Sequence, residues 1–248
     1  MRIILSPAKK MNIDTDKLDY KDLPVFLEQT EDILSWLREH TLLELQKIWG
    51  CNEKIAELNY ERIRDMDLRN GLTPAIISYE GLAYQYMAPA VFEKSSIDYV
   101  QEHLRILSGF YGVLKPLDGV TPYRLEMQAK IGIDGHKDLY ELWGHRLYDD
   151  VCDGTGIIIN LASKEYSKCI EKYLKPDDTF ITVTFCETVN GKLVTKGTYA
   201  KMARGEMVRF MAESRIEDPK DIINFDRLGY VFREDLSSKK ELVFEKTK

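Results

Sequence analysis

The chain has 248 residues, with 35 Lys+Arg against 41 Asp+Glu, so it carries a formal net charge of −6. Apolar residues make up 44% and charged residues 31%, a globular composition. Its acidic balance excludes a protein that coats nucleic acid through bulk charge, while a local basic site stays open.

Residues 2–5 (Arg2-Ile3-Ile4-Leu5) read as a buried strand. Pro24 suits the first turn of a helix, and residues 24–40 place Val25, Ile33, Leu34 and Leu37 near helical spacing. Thr41 and Glu44 form the capping-box pattern, in which each side chain satisfies the other's free backbone N–H. That predicts a second helix ending at Gly50. A third helix is expected over 53–68, with Ile55, Leu58, Ile63 and Met66 on one side and Asn70-Gly71 beyond it. Residues 75–78 and 105–107 are candidate strands. Residues 138–152 read as one helix, followed by strand 156–161, helix 164–174 and strand 179–187. Asn190-Gly191 signals a hairpin turn, because both residues tolerate positive φ. A return strand over 192–198, a helix over 200–215 and a C-terminal hairpin close the chain. Alternating strands and helices with an antiparallel hairpin indicate a mixed α/β fold on a central mixed sheet. No linker or repeat divides the sequence. We therefore expect one domain over 1–248, with 24–70 as a projecting helical subdomain.

No apolar run approaches the roughly 18 residues of a membrane helix. The N-terminal apolar stretch turns polar at Ser6, too early for a signal peptide. Cys51, Cys152, Cys169 and Cys186 form no C-x-x-C pair and suit a reducing compartment. The expectation is a cytoplasmic protein with no membrane partner, no metal and no cofactor. G-x-S-x-G, Walker A and complete G-x-G-x-x-G motifs are missing, and no residue is assigned a catalytic role.

Two regions carry function-like residues. The first is Ile48-Trp49-Gly50-Cys51-Asn52-Glu53-Lys54-Ile55-Ala56, which resembles the helix-hairpin-helix motif of DNA-binding proteins. Gly50 takes the first glycine place, Asn52 the second, and Ala56 the small residue where two helices touch. Asn visits the left-handed region more readily than most residues. A tight turn entering a helix leaves backbone N–H groups free for phosphate oxygens, helped by the helix dipole. Lys47, Gly50, Cys51, Asn52 and Lys54 are the candidate contacts, reading backbone rather than base sequence. The bland alternative is an ordinary short turn between helices, with Glu53 and Glu57 repelling phosphate.

The second region is a set of polar segments at predicted strand ends, where open α/β sheets place ligands. Ser6, Lys9, Lys10, Arg124, Glu126, Asn160, Lys201 and Arg204 are its candidates for an anion-binding cleft. Lys201 and Arg204 lie three apart and share a helix face. Residues 192–215 hold six Lys/Arg and two acids, a local +4 inside an acidic chain and the mark of an anionic partner. The alternative is a solvated basic helix paired with acids elsewhere. Arg124 and Glu126 alternate on an extended segment, so they share one face or form a buried ion pair.

Several motifs in order resemble the YaaA family of bacterial peroxide-stress proteins. They are Leu5-Ser6-Pro7-Ala8-Lys9, Tyr79-x-Gly81, and the run from Ser108-Gly109-Phe110-Tyr111-Gly112 to Lys115-Pro116-Leu117-Asp118. Pro122-Tyr123-Arg124-Leu125-Glu126-Met127, Asn160-Leu161-Ala162-Ser163-x-Glu165-Tyr166 and Lys201-x-Ala203-Arg204-Gly205 complete the set. The resemblance implies a cytoplasmic α/β protein that binds double-stranded DNA and keeps unincorporated iron low during hydrogen peroxide stress. It also implies a helix-hairpin-helix element, mapped here to residues 50–54. A positive cleft maps to Lys9, Lys10, Arg124, Lys201 and Arg204. The competing expectation is an enzyme or binding protein for a phosphorylated or carboxylated small molecule in the same cleft. In that case Arg124 and Lys201 hold the anion and Glu126 is a general base.

Overall fold

The computed structural model describes every residue except Asp134, Asp153 and Lys248. Its centre is a sheet whose strand order is 230–232, 241–246, 179–189, 157–160, 2–5, 104–108 and 112–114, with 192–194 paired to 179–189. The strands Arg2–Leu5, Leu104–Ser108, Ile157–Asn160, Thr179–Val189 and Glu241–Lys246 run parallel, and the antiparallel partners sit at the margins. The inner strands are unbroken apolar runs because both of their faces are covered. Ile3, Ile4, Ile106, Leu107 and Ile159 are fully buried.

From Arg2–Leu5 the chain crosses to Leu104–Ser108 on one side. It then returns to Ile157–Asn160 on the other side and continues outward. The connections therefore diverge between Arg2–Leu5 and Ile157–Asn160, and a crevice opens at their carboxyl ends.

Several expected elements are corrected. Residues 75–78 are a turn of helix, Ala75–Ser78, not a strand. The first helix is Leu27–Arg38, leaving Pro24 ahead of it and Val25 exposed. The helix Glu53–Asp65 stops earlier than expected, and Leu58 faces solvent. Residues 138–152 form two helices, Leu139–Trp143 and Arg146–Val151, parted at Gly144 with φ 54°. The long basic helix is Gly197–Ser214, so the return strand is only Lys192–Val194. Asn190 and Gly191 both have positive φ, as the hairpin requires, and Tyr230–Phe232 pairs antiparallel with Glu241–Lys246 at the C-terminus.

The capping box is present: Thr41 N–H donates to Glu44 Oε2 at 2.8 Å, and Glu44 N–H reaches Thr41 Oγ1 at 3.4 Å. Arg38 donates to the carbonyls of Ile63 (2.9 Å) and Met66 (2.8 Å), tying Leu27–Arg38 to the end of Glu53–Asp65. Ile33, Leu34, Leu37, Leu45 and Ala56 join the same buried cluster as the sheet residues. Among the described residues no helix is long and apolar enough to cross a membrane.

Candidate anion-binding cleft

The crevice begins with two serines. Ser6 directly follows the first strand, and Ser163 is the N-cap of helix Lys164–Glu171, which follows Ile157–Asn160. Ser163 N–H donates to Ser6 Oγ at 2.8 Å, and Ser6 Oγ–H reaches Ser163 Oγ at 3.2 Å. The two strand ends are thus joined at the floor of a cavity of about 380 Å³.

Two close backbone approaches set the walls. A Cβ on Gly205 would lie 1.8 Å from the Ala83 carbonyl oxygen, so only glycine lets Gly197–Ser214 seat against Leu82–Met87. That seating turns Lys201 and Arg204 into the cavity. A Cβ on Gly109 would meet Leu125 O at 2.7 Å. Gly109 therefore lets segment 124–127 lie against the loop after Leu104–Ser108, which presents Arg124 and Glu126 to the same space.

Seven of the eight sequence candidates line this cavity: Ser6, Lys9, Lys10, Arg124, Glu126, Lys201 and Arg204. Asn160 does not. It is buried, its Oδ1 accepts from Ala162 N–H (2.9 Å), and its Nδ2 donates to Thr182 Oγ1 (3.2 Å). The strand end consumes both ends of that amide.

The cations are not equivalent. Glu126 takes Lys9 on Oε2 (2.8 Å) and Arg124 on Oε1 (3.1 Å), and Lys10 pairs with Glu80 at 2.7 Å. Lys201 and Arg204 have no ion-pair or hydrogen-bond partner among the described residues. The acids near them in sequence are engaged elsewhere: Glu206 and Glu213 bind Arg227, and Glu213 also binds Arg209. Arg204 Nε is buried without a partner, and burial pulls the Arg204 guanidinium below its ordinary pKa. A mostly buried cation without a counter-ion is costly, because low-dielectric surroundings disfavour the isolated charge. An anionic ligand relieves that cost.

The sequence candidates omit several wall residues, among them Tyr84, Tyr123, Tyr166, Ser163 and Glu165. Ser163 and Glu165 were traceable, since they follow a strand end at the switch point. Burial raises the Glu165 carboxyl above the ordinary carboxylate range; Gln128 N–H opposes this and the Glu126 charge adds to it. Nothing in sequence spacing marks Tyr84. Beneath the cavity Tyr123 OH sits 2.8 Å from Tyr79 OH and 2.6 Å from Ser108 Oγ, a buried network that fixes the Tyr123 ring.

The turn between Leu42–Trp49 and Glu53–Asp65 lies beside this cleft. A second hollow, lined by Lys47, Trp49, Gly50, Gln128 and Lys130, shares Lys9 and Glu126 with the first. Gly50 is left-handed (φ 54°, ψ 46°), as expected. Asn52 is not left-handed. It is extended (φ −72°, ψ 164°) and caps the next helix by accepting Ile55 N–H at 3.0 Å. One amide expected to face phosphate is therefore spent internally. Asn52 and Lys54 are exposed and Cys51 is half-buried, and none of the three lines either hollow.

The family model described as Peroxide stress protein YaaA matches residues 1–236. The chain belongs to that family. It is 65% identical over 246 residues to a UPF0246 protein of Agathobacter rectalis, covering 99% of each chain. It is 54% identical over 246 residues to a UPF0246 protein of Lachnoclostridium phytofermentans, covering 99% of this chain and 96% of the relative. A UPF0246 protein of Limosilactobacillus reuteri is 51% identical over 249 residues, with full coverage of both chains.

In this YaaA-family chain the cavity carries five cations against three carboxylates, Glu80, Glu126 and Glu165. Glu80 is paired with Lys10 and Glu126 with Lys9 and Arg124, while Lys201 and Arg204 have no ion-pair partner among the described residues. Among the described residues no group of three or more His, Cys, Asp or Glu side chains is placed to hold a metal ion.

Proposed function

We propose that this protein serves the peroxide-stress response of its family by binding double-stranded DNA non-specifically, with backbone phosphates on the basic cleft and the neighbouring turn. The observation that carries the proposal is the unpaired Arg204 with Lys201 in a cleft at the sheet's switch point. Two cations without counter-ions favour a phosphate-bearing partner even in an acidic chain. Support for the turn as a second contact comes from its shared walls: Lys9 and Glu126 border both hollows, so one backbone can pass Lys47 and Gly50 on its way to Lys201. Backbone contacts make affinity independent of sequence and steeply dependent on salt. Keeping unincorporated iron low is the cellular half of the proposal and rests on the family resemblance alone.

Electrophoretic mobility shifts of a duplex at rising salt test the binding. Retention at low salt that fades as salt rises supports it; no retention even at the lowest salt refutes it. The iron half is tested by spin-resonance measurement of free iron in peroxide-challenged cells with and without the gene.

A second reading, a small anionic ligand in the same cavity, is favoured by one specific feature. The space is about 380 Å³ and walled on several sides, within the roughly 300–1,000 Å³ of small-molecule sites. A duplex cannot enter it and, on the first reading, lies across its mouth with a phosphate on the exposed Lys201.

A further inference from the structure

The cavity has a chemistry that a bare phosphate does not use. Tyr84, Tyr123 and Tyr166 contribute to its walls, together with Leu5, Leu125 and Leu161. Two of the three tyrosine hydroxyls are already engaged by the protein. Tyr84 OH donates to the Ser6 carbonyl at 3.0 Å. Tyr123 OH is held between Tyr79 and Ser108. Tyr84 and Tyr123 therefore offer the ligand their rings and not their hydroxyls. Lys201 and Arg204, cations without ion-pair partners among the described residues, line the same cavity.

We infer that the cavity is a site for a single nucleotide, with its phosphate on Arg204 and Lys201 and its base against the tyrosine and leucine wall. This rests on the reading of the cleft as an anion site and names its ligand class. Apolar and aromatic walls in one cavity with an unpaired guanidinium match a molecule that is planar and weakly polar at one end and anionic at the other. A duplex is too wide, but one nucleotide unit is not. The hollow beside Lys47 and Gly50 shares its border residues Lys9 and Glu126 with this cavity. A strand lying along that hollow thus has one unit within reach of the cavity, as in proteins that draw a base out of the stack. A free mononucleotide presents the same chemistry.

Isothermal titration of the full chain separates the possibilities, with the four deoxynucleoside monophosphates, inorganic phosphate and the four deoxynucleosides as probes. The expected result is one-to-one binding, with at least one monophosphate about tenfold or more tighter than either phosphate or its nucleoside, since ring stacking and charge contribute together. Arg204→Gln is expected to weaken that monophosphate by about tenfold or more. Monophosphates that bind no tighter than phosphate overturn the inference, and so does affinity unchanged in R204Q. The wild-type comparison needs no variant, so a poorly folded R204Q does not blunt it. A duplex carrying one 2-aminopurine opposite an abasic site identifies the source. A fluorescence rise on binding that the monophosphate competes away assigns the site to a residue extruded from DNA. Monophosphate binding without that rise assigns it to free nucleotides. Loss of duplex retention with monophosphate binding intact refutes the DNA proposal and leaves this site standing; the reverse removes this site alone.

Discussion

Ser163 N–H donates to Ser6 Oγ at 2.8 Å across 157 positions of sequence. This bond closes the crevice between two parallel strands whose connections leave in opposite directions. Ser6 Oγ is the acceptor at the strand end, and its own hydrogen goes to Ser163 Oγ at 3.2 Å. Ser6→Ala removes the acceptor and leaves a half-buried amide without a protein partner. The expected loss is about 1–3 kcal/mol of stability, read as a lower urea midpoint at unchanged slope. Ser6→Thr keeps the acceptor and is expected to lose less.

Gly205 and Ala83 define the position of the basic helix. Gly205→Ala forces a Cβ to within 1.8 Å of a backbone oxygen unless the helices part. Overpacking of this kind costs about 1–3 kcal/mol or more, and it moves Lys201 and Arg204 away from the cavity. Gly197→Ala, on the same helix with open space around it, is expected to be neutral or slightly stabilising, since alanine is the better helix former. Calorimetric melting of the two variants checks the contrast. Equal melting temperatures would show that the helix contact tolerates separation.

Arg204 illustrates stability given up for binding. Replacing a mostly buried, unpaired cation by an apolar side chain of similar length removes a desolvation cost. Arg204→Met is therefore expected to raise the stability of the free protein by roughly 1 kcal/mol while it abolishes stabilisation by added phosphate ligands. Thermal melting with and without ligand reads both effects. Destabilisation of the free protein would mean that Arg204 serves packing instead.

Asp118 predicts a pH dependence remote from the cleft. It is buried, and burial pushes its carboxyl up to about 7; Lys115 N–H and the Lys115 and Arg105 charges oppose that shift, and Asp22 adds to it. Its folded pKa is thus raised above the ordinary 3.8. The stability tied to its protonated form is fully present below that ordinary value and is lost as pH rises through about 7. Wild type is expected to lose up to about 4 kcal/mol from this one group between pH 4 and 8. Asp118→Asn should flatten that component, because the amide does not ionise. Denaturant titrations at several pH values, taken as the difference between the two proteins, give the slope directly.

Much of the frame was legible because local chemistry acted alone. Apolar runs such as Ile157-Ile158-Ile159 have no partner but a doubly covered strand. The Thr41/Glu44 box and the Asn190-Gly191 turn depend on neighbours in sequence. The three-residue step from Lys201 to Arg204 fixes a shared helix face in any helix. What escaped depended on distant neighbours. Ala75-Ile76-Ile77-Ser78 is an apolar run too short for periodicity to separate strand from helix, and the strand pairing falls instead on the preceding Thr73 and Pro74, opposite Val120 and Gly119. Asn52 looked like a left-handed turn residue but caps the next helix, an equally common use of its short amide. Asn160 sat at a strand end, as a ligand residue would, yet Thr182 on the adjacent strand claims it. Charge counting showed a basic segment over 192–215. It did not show which cations lack partners, because Arg227 collects Glu206 and Glu213 from outside that segment.

The most direct measurement is the Nε–Hε resonance of Arg204 in a nitrogen-15 spectrum, assigned by its disappearance in R204Q. Addition of inorganic phosphate, and then of a deoxynucleoside monophosphate, is expected to shift that resonance in a saturable way and to slow its exchange with water. An Arg204 signal that stays fixed at saturating phosphate and nucleotide, while exposed arginines respond, would show that its charge is not waiting for an anion.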